Sequence, residues 1–247
     1  MDPTPPLLVV HPFPLDSRFW GPMLEDLRWP ARVFAPEFPG FGGEPHRPGW
    51  SIASAGERLA ELINERSPDG RAVVCGLSMG GYAALALAAH APERIAGLVL
   101  ADTRAEADTD EARAGRSAGI ELIRSQGTGR FLDELLPKLM SPHTASPIAA
   151  AVRRIADEQP AEALIAALSA LADRPNRVQV LSSIRAPVRV VVGADDGVTP
   201  IEAAQTLVRG LGHAQLHVVP GAGHLSAIEA PHAFAATVRS LLDDLSP

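Results

Sequence analysis

A serine between two glycines is the first feature of this sequence that suggests chemistry. The pentapeptide GLSMG, residues 76–80, centres on Ser78; an apolar run precedes it and a stretch of small, helix-forming residues follows. This is the setting of a tight strand–turn–helix bend. Residues two before and two after the serine pass so close together there that glycine is needed at both. The bend presents the hydroxyl at a helix N-terminus, so we predict that Ser78 is a nucleophile.

The alternative for this segment is a glycine-rich turn that binds phosphate. Such turns usually show G-x-G-x-x-G or end in Gly-Lys-Ser/Thr, and neither pattern occurs in the chain. The pentapeptide alone is a weak signal. The predicted strand before it and the predicted helix after it are what favour the nucleophile.

A nucleophilic serine needs a base within hydrogen-bond reach, and eight histidines compete for that role. His224 ends the segment PGAGH, residues 220–224, directly after the last predicted strand. Loops at the carboxyl ends of strands carry the ligand chemistry of open α/β sheets, so we predict that His224 is the base. Structural or solvent-exposed roles are expected for His46, His90, His143, His213, His217 and His232.

The base in turn needs a carboxylate that orients it. Asp195 and Asp196 are neighbours just after a predicted strand. We favour Asp196 because it lies closer to the turn that starts the next helix, whereas Asp195 could bond to local backbone amides. Asp102 is a third candidate, for which we expect a loop or helix-cap role instead.

Six short apolar runs predict the sheet that positions these residues. They lack polar alternation, which is typical of strands buried on both faces of a parallel sheet. Helical patterns alternate with them, so we predict a doubly wound α/β fold. The runs are Leu7–His11, Arg32–Ala35, Ala72–Cys75, Leu98–Ala101, Val188–Gly193 and Gln215–Val219.

Two helix starts are predicted near the acid and the base. The segment Thr199-Pro200-Ile201-Glu202 has the form of a capping box with proline at the first helical position, so Thr199 is expected to cap that helix. Pro231 is expected to open the last helix, whose apolar residues recur at helical spacing.

Residues 104–176 interrupt the alternation of strands and helices. One crossover needs only one helix, yet this stretch shows several helical patterns separated by prolines. We predict three to five helices inserted after the fourth strand as a cap, on a core formed by residues 1–103 and 177–247. The alternative is extra helices that cover the sheet. The patterns are Ile120–Ile123, Phe131–Leu139, Ile148–Ile155 and Ala161–Leu171.

Taken together, these segments resemble the α/β-hydrolase family. HPFP, residues 11–14, resembles that family's His-Gly-x-Pro loop, and FPGFGG, residues 38–43, is similar to its next loop. The serine, aspartate and histidine segments follow in the family's order. The resemblance covers nearly the whole chain, and within the family it points to small capped carboxylesterases and 3-oxoadipate enol-lactonases.

The resemblance implies an oxyanion hole made by two backbone amides, those of Phe13 and Met79. Pro12 stands where the family usually has glycine, but Phe13 keeps its own N–H.

The predicted cap, residues 104–176, is expected to select the substrate. The predicted substrate-contacting residues are Pro12, Phe131, Met140 and Val198.

The chain begins almost at the strand that is third in the family. We therefore expect the family's N-terminal antiparallel hairpin to be absent and all six strands to be parallel, with Arg32–Ala35 at one edge. An exposed edge strand favours pairing with a second copy, so the expected state is a monomer or a homodimer.

Charge and hydropathy argue against several partners. The net charge of −7 disfavours nucleic acid and anionic membranes. No apolar stretch approaches the ~18 residues of a spanning helix, and the N-terminus lacks the basic region of a signal peptide. Cys75 is the only cysteine, so no intramolecular disulfide is expected. We expect a cytoplasmic protein without metal or cofactor that acts on a small ester.

The expected reaction is hydrolysis of a carboxylic ester or lactone through an acyl-enzyme, with activity lost below about pH 6–7 as the base is protonated. Serine at the bend disfavours the haloalkane dehalogenases and epoxide hydrolases of the family, which use aspartate there. Thioesterase, carbon–carbon hydrolase, cofactor-free haloperoxidase and aminopeptidase chemistry stay open. So does a different class of protein, a small-molecule receptor or signalling protein on the same fold.

Overall fold

A parallel sheet of six strands forms the centre of the molecule. The computed structural model describes residues 4–245. The strands lie in the order β2-β1-β3-β4-β5-β6, and every neighbouring pair is parallel. This confirms the predicted fold class, including β2 at one edge. The strands are β1 (Leu7–Val10), β2 (Val33–Phe34), β3 (Ala72–Leu77), β4 (Ile95–Ala101), β5 (Val188–Gly193) and β6 (Gln215–Val219).

The described part of the chain contains eleven α-helices. Of these, α3 packs on β1, β3 and β4, whereas α11 packs on β4, β5 and β6. The last helix opens at Pro231 as predicted. The helices are α1 (Gly21–Leu27), α2 (Ile52–Arg66), α3 (Met79–His90), α4 (Asp110–Gln126), α5 (Thr128–Leu139), α6 (Ser146–Asp157), α7 (Ala161–Ala172), α8 (Val178–Leu181), α9 (Ile201–Leu211), α10 (Ser226–Glu229) and α11 (Pro231–Leu245).

The expectation that all six strands are buried on both faces is correct for the inner strands and wrong for the edges. Every residue of β1, β3, β4 and β5 is buried. The edge strands β2 and β6 are partly exposed, because each has a neighbouring strand on one side only. Val33, Phe34, Leu216 and Val219 still pack on the core, whereas Val218 is 41% exposed.

Helices α4 to α7, four of the five helices between β4 and β5, form the inserted cap. Helix α4 packs on α5 and α7, and α5 packs on α6, so the cap helices contact one another more than they contact the strands. This arrangement favours a cap over additional sheet-covering helices. The exact division of the chain into residues 104–176 and the remaining core stays a prediction.

A buried ion pair joins the two connections between cap and core. The Arg174 guanidinium lies 2.5 Å from the Asp108 carboxylate, and both side chains are almost fully buried. Arg116 adds a second contact to Asp108, at 3.1 Å. The same Arg174 guanidinium lies 4.2 Å from the ring centroid of Tyr82 in α3. Through Arg174, the cap therefore contacts α3, the helix that follows Ser78.

Within residues 4–245, every helix is too short or too polar to cross a lipid bilayer. The same residues contain no group of three or more His, Cys, Asp or Glu side chains arranged to hold a metal ion.

Candidate active site

Ser78 stands on a strained turn between β3 and α3. Its φ of 53° and ψ of −112° are unusual for a residue with a side chain, and such backbone costs about 1–3 kcal/mol. Gly76 and Gly80 make the turn possible. A Cβ atom on Gly76 would lie 2.3 Å from the Gly80 carbonyl oxygen, and one on Gly80 would lie 2.0 Å from the Val10 carbonyl oxygen.

Replacing Gly80 with alanine is expected to destabilise the protein, because the new methyl group meets the β1 backbone, which cannot move aside. Overpacking of this kind costs about 3 kcal/mol, which corresponds to a fall in Tm of roughly 6–12 °C for a chain of this size. Thermal unfolding followed by circular dichroism measures the change.

The control is Gly115→Ala on the exposed side of α4, where an added Cβ has no neighbour within 4 Å. This change is expected to raise stability by about 1 kcal/mol through helix propensity. A Gly80→Ala protein that melts at the wild-type temperature would contradict the proposed steric limit.

Three side chains from distant segments meet at this turn. The Ser78 Oγ lies 2.8 Å from the His224 Nε2, and the His224 Nδ1 lies 2.9 Å from the Asp196 Oδ2. All three residues are buried, with exposed fractions of 9%, 2% and 5% for Ser78, His224 and Asp196. The structure thus brings together the three residues that the sequence singled out.

The Asp196 carboxylate is held by its own turn. Its Oδ1 accepts hydrogen bonds from the backbone amides of Val198 and Thr199, at 2.8 and 2.9 Å. Burial acts to raise the pKa of Asp196, but the hydrogen bond and charge of His224 and the bonds from Thr199 outweigh it and hold that pKa below its ordinary value. The carboxylate is therefore available as an anion to orient the imidazole.

The prediction that Thr199 caps the following helix is wrong. Helix α9 begins at Ile201 after Pro200, and no side-chain hydrogen bond caps it. The Thr199 hydroxyl instead donates to the Asp196 Oδ2 at 2.7 Å and lies 3.2 Å from the His224 Nδ1. A bond to a carboxylate is stronger than one to a neutral acceptor, which explains why the hydroxyl turns toward Asp196.

Neither alternative aspartate bonds to the histidine. Asp195 accepts from the Ser141 hydroxyl in the cap at 2.6 Å, rather than from local backbone amides as expected. Asp102 is fully buried and accepts from the Gly193 amide at 2.9 Å and the Ser226 hydroxyl at 2.5 Å. Asp102 lies in the bend directly after β4, and its carboxylate also accepts from the backbone amide of Ser226, the first residue of α10, at 3.2 Å. This fits the expected loop or helix-cap role.

The pKa of Asp102 is shifted in the opposite direction from that of Asp196. Removal from water, followed by the nearby charge of Asp196, raises the pKa of Asp102 well above its ordinary value, and the bonds from Ser226 and Gly193 oppose this only in part. Two buried carboxylates close together resist double ionisation. Asp196 is the better anion of the two.

The loop after β1 is anchored by a buried histidine. The His11 Nδ1 lies 3.1 Å from the Pro12 carbonyl oxygen, and its Nε2 lies 3.1 Å from the Glu37 carboxylate. The backbone amides of Phe13 and Met79 donate none of the hydrogen bonds found among the described residues, although both residues are buried. The oxyanion-hole role of these two amides stays a prediction.

Residues 7–237 match the Alpha/beta hydrolase family. The chain belongs to this family. A pimeloyl-[acyl-carrier protein] methyl ester esterase from Aromatoleum aromaticum is 31% identical to the hydrolase, over 96% of this chain and 98% of its own length. A 3-oxoadipate enol-lactonase 2 from Acinetobacter baylyi is 31% identical over 70% of this chain and 64% of its own.

Solved structures agree with the family assignment. A thermophilic esterase from Thermogutta terrifontis superimposes on the hydrolase with a TM-score of 0.91 and 33% identity, over 98% of this chain and 90% of that one. The enol-lactonase from Burkholderia xenovorans has a TM-score of 0.85 at 24% identity, covering 97% and 92%, and so supports the fold. The resemblance inferred from the sequence is confirmed.

The predicted substrate-contacting residues of the hydrolase lie in different settings. The Phe131 ring in α5 is 6.2 Å from the ring of Phe13, so the cap meets the loop after β1 there. Pro12 is buried and Met140, just after α5, is half-buried. Val198 is 37% exposed. Contact between these residues and a substrate stays a prediction.

Two polar residues beside the site of the hydrolase were not found from the sequence. The Thr103 hydroxyl donates to the Ser78 carbonyl oxygen at 3.0 Å, and Glu229 accepts hydrogen bonds on both sides of His224. Glu229 follows the histidine by five residues and begins no recognisable motif. Thr103 follows Asp102 just after the end of β4, whereas its acceptor, the Ser78 carbonyl, follows β3.

Proposed function

We propose that this carboxylic ester hydrolase cleaves a small carboxylic ester or lactone through an acyl-enzyme on Ser78. The supporting observation is the continuous chain of buried hydrogen bonds from Asp196 through His224 to Ser78, at 2.9 and 2.8 Å. A serine, a base within reach and an anion that orients the base are the parts that nucleophilic acyl transfer requires.

In the first half-reaction, the His224 Nε2 takes the hydroxyl proton as the Ser78 Oγ attacks the carbonyl carbon. The amides of Phe13 and Met79 donate to the resulting oxyanion, and each such donor contributes about 3–4 kcal/mol to lowering the barrier. The tetrahedral intermediate then breaks its bond to the leaving alkoxide, which takes the proton from the imidazolium. The acyl group remains on Ser78.

In the second half-reaction, water replaces the alcohol. His224 takes a proton from the water as its oxygen attacks the acyl carbon, and returns it to the Ser78 oxygen as that bond breaks. The negative charge of Asp196 stabilises the imidazolium formed in each half. The lowered pKa of Asp196 fits this role, because the carboxylate must stay ionised while the imidazole gains and loses its proton.

Aromatic side chains close to the proposed oxyanion hole support a small substrate with an apolar part. The Phe13 ring lies 6.2 Å from Phe131 of the cap and 6.5 Å from Phe41, so apolar surface flanks one of the two proposed donors. The named relatives include a methyl ester esterase and an enol-lactonase. A short ester or a lactone with an apolar acyl group suits such surroundings.

Turnover of p-nitrophenyl esters tests this function. The protein is expected to release many equivalents of p-nitrophenol per active site from the acetate and butyrate esters. A receptor on this fold would stop at about one equivalent, the amount of a single acylation. Release that ends there, with intact protein, would contradict the proposed function. A parallel series of thioesters and lactones of matched acyl length then ranks the substrate classes.

A further inference from the structure

The loop that carries His224 is held by a carboxylate that takes no part in the proposed proton transfers. Glu229 lies at the end of α10, and its Oε1 accepts hydrogen bonds from the backbone amides of Gly223 and Leu225, each at 3.1 Å. These two amides flank His224 on either side. One oxygen atom therefore fixes the peptide planes that set the direction of the imidazole.

The other oxygen of the same carboxylate reaches the cap. The Glu229 Oε2 accepts from the Ser141 amide at 2.8 Å and from the Thr144 hydroxyl at 2.5 Å. Both donors belong to the loop between α5 and α6. Four donors, two from the histidine loop and two from the cap, thus converge on one side chain.

The two segments also touch directly. The His224 amide donates to the Leu139 carbonyl oxygen in the last turn of α5 at 2.9 Å. Gly223 is packed so closely against the cap that an added Cβ would lie 2.4 Å from the Ser141 amide nitrogen. The cap backbone and the backbone beside the base are therefore in van der Waals contact at the point where Glu229 joins them.

We propose that Glu229 is a positioning residue that couples the seating of the cap to the orientation of His224. The inference rests on the proposed function, in which His224 is the base. An ionised carboxylate has about four lone-pair sites and no hydrogen, so it satisfies both pairs of donors together. A carboxamide cannot do so, because its NH2 group would face one of the two pairs.

Glu229→Gln tests the proposal with almost no change in volume. Whichever way the amide turns, two donors lose their acceptor, and unsatisfied donors of this kind correspond to roughly a ten- to hundredfold effect. We expect kcat on p-nitrophenyl butyrate to fall by about that factor. Glu202→Gln, at an exposed position of α9, is the matched control and is expected to keep wild-type kcat.

A spectroscopic measurement separates positioning from general stability. The Nδ1 proton shared between His224 and Asp196 is expected to give a far-downfield proton NMR signal in the wild type and in Glu202→Gln. In Glu229→Gln that signal is expected to shift or broaden. A folded Glu229→Gln protein with an unchanged signal and a kcat within about twofold of the control would overturn the proposal.

Thr144→Val removes only the contact between the cap side chain and Glu229, and serves if Glu229→Gln fails to fold. A several-fold loss of kcat with an altered downfield signal is expected for it, whereas wild-type values for both would refute the coupling to the cap. The downfield signal is recorded without substrate. It therefore tests Glu229 even if the wild-type protein shows no turnover, an outcome that would count against the proposed function alone.

Discussion

Replacing Ser78 with alanine is expected to lower kcat for ester hydrolysis by about ten-thousandfold to a millionfold. The substitution removes the oxygen that lies 2.8 Å from His224 and leaves the remaining site in place. Residual activity would come from water attacking an ester bound at the oxyanion hole. Steady-state release of p-nitrophenol measures the loss.

Alanine keeps the Cβ atom of serine, so the strained turn is unchanged and Tm should stay within a few degrees of the wild-type value. Ser182→Ala, at an exposed position after α8, is the control and should hydrolyse esters at the wild-type rate. A Ser78→Ala protein that retained more than about a tenth of wild-type kcat would exclude Ser78 as the nucleophile.

The turn at Ser78 could be predicted because its constraints are local. Glycines two residues before and after the serine are required by atoms within the bend and in the adjacent β1, and they show in the sequence at fixed spacing. The positions of Asp196 and His224 were predictable for a different reason. Residues that follow parallel strands meet at one edge of the sheet, so the order of elements already places both near the bend.

The role of Thr199 could not be predicted, because one local pattern allows two partners. A threonine before a proline and three residues before a glutamate suits a helix cap, and it also suits a bond back to Asp196, three residues earlier. The geometry of the turn decides between them, since the Asp196 Oδ2 lies 2.7 Å from the hydroxyl.

Asp102 and Glu229 illustrate contacts that no spacing reveals. The donors to Asp102 come from Gly193 and Ser226, which are 91 and 124 residues away in the chain. Two of the donors to Glu229 come from the cap, more than eighty residues earlier, at Ser141 and Thr144. A carboxylate whose partners lie in other segments looks like any surface acid until the segments are packed together.

Asp196→Asn is expected to lower kcat by about a thousandfold to ten-thousandfold. The asparagine oxygen is expected to take the place of Oδ1, which accepts from the backbone amides of Val198 and Thr199. The NH2 group then takes the place of Oδ2, which bonds to His224 and the Thr199 hydroxyl. That group would favour the imidazole tautomer with its proton on Nε2, which cannot accept the Ser78 proton. Removing the charge also leaves the imidazolium without a counter-ion.

Asp195→Asn is the matched control, because it makes the same chemical change one residue away. Its expected cost is no more than several-fold, since the carboxylate bonds to Ser141 in the cap. The two variants measured side by side with p-nitrophenyl acetate test the choice between the neighbouring aspartates. A large loss in Asp195→Asn with near-normal activity in Asp196→Asn would reverse the assignment.

The pH dependence of stability provides an independent measurement on Asp196. Its pKa in the folded protein lies below the ordinary value of 3.8, so the folded state binds fewer protons than the unfolded state in the interval between the two values. The stability contributed by the carboxylate is therefore fully present above pH 3.8 and is lost as pH falls through the folded-state pKa.

The difference in unfolding free energy between wild type and Asp196→Asn, measured by urea titrations, should be constant near neutral pH and shrink only below pH 3.8. A difference that disappeared well above pH 3.8 would mean that the pKa of Asp196 is not lowered in the folded protein, and the carboxylate could not then be the fixed anion that the mechanism requires.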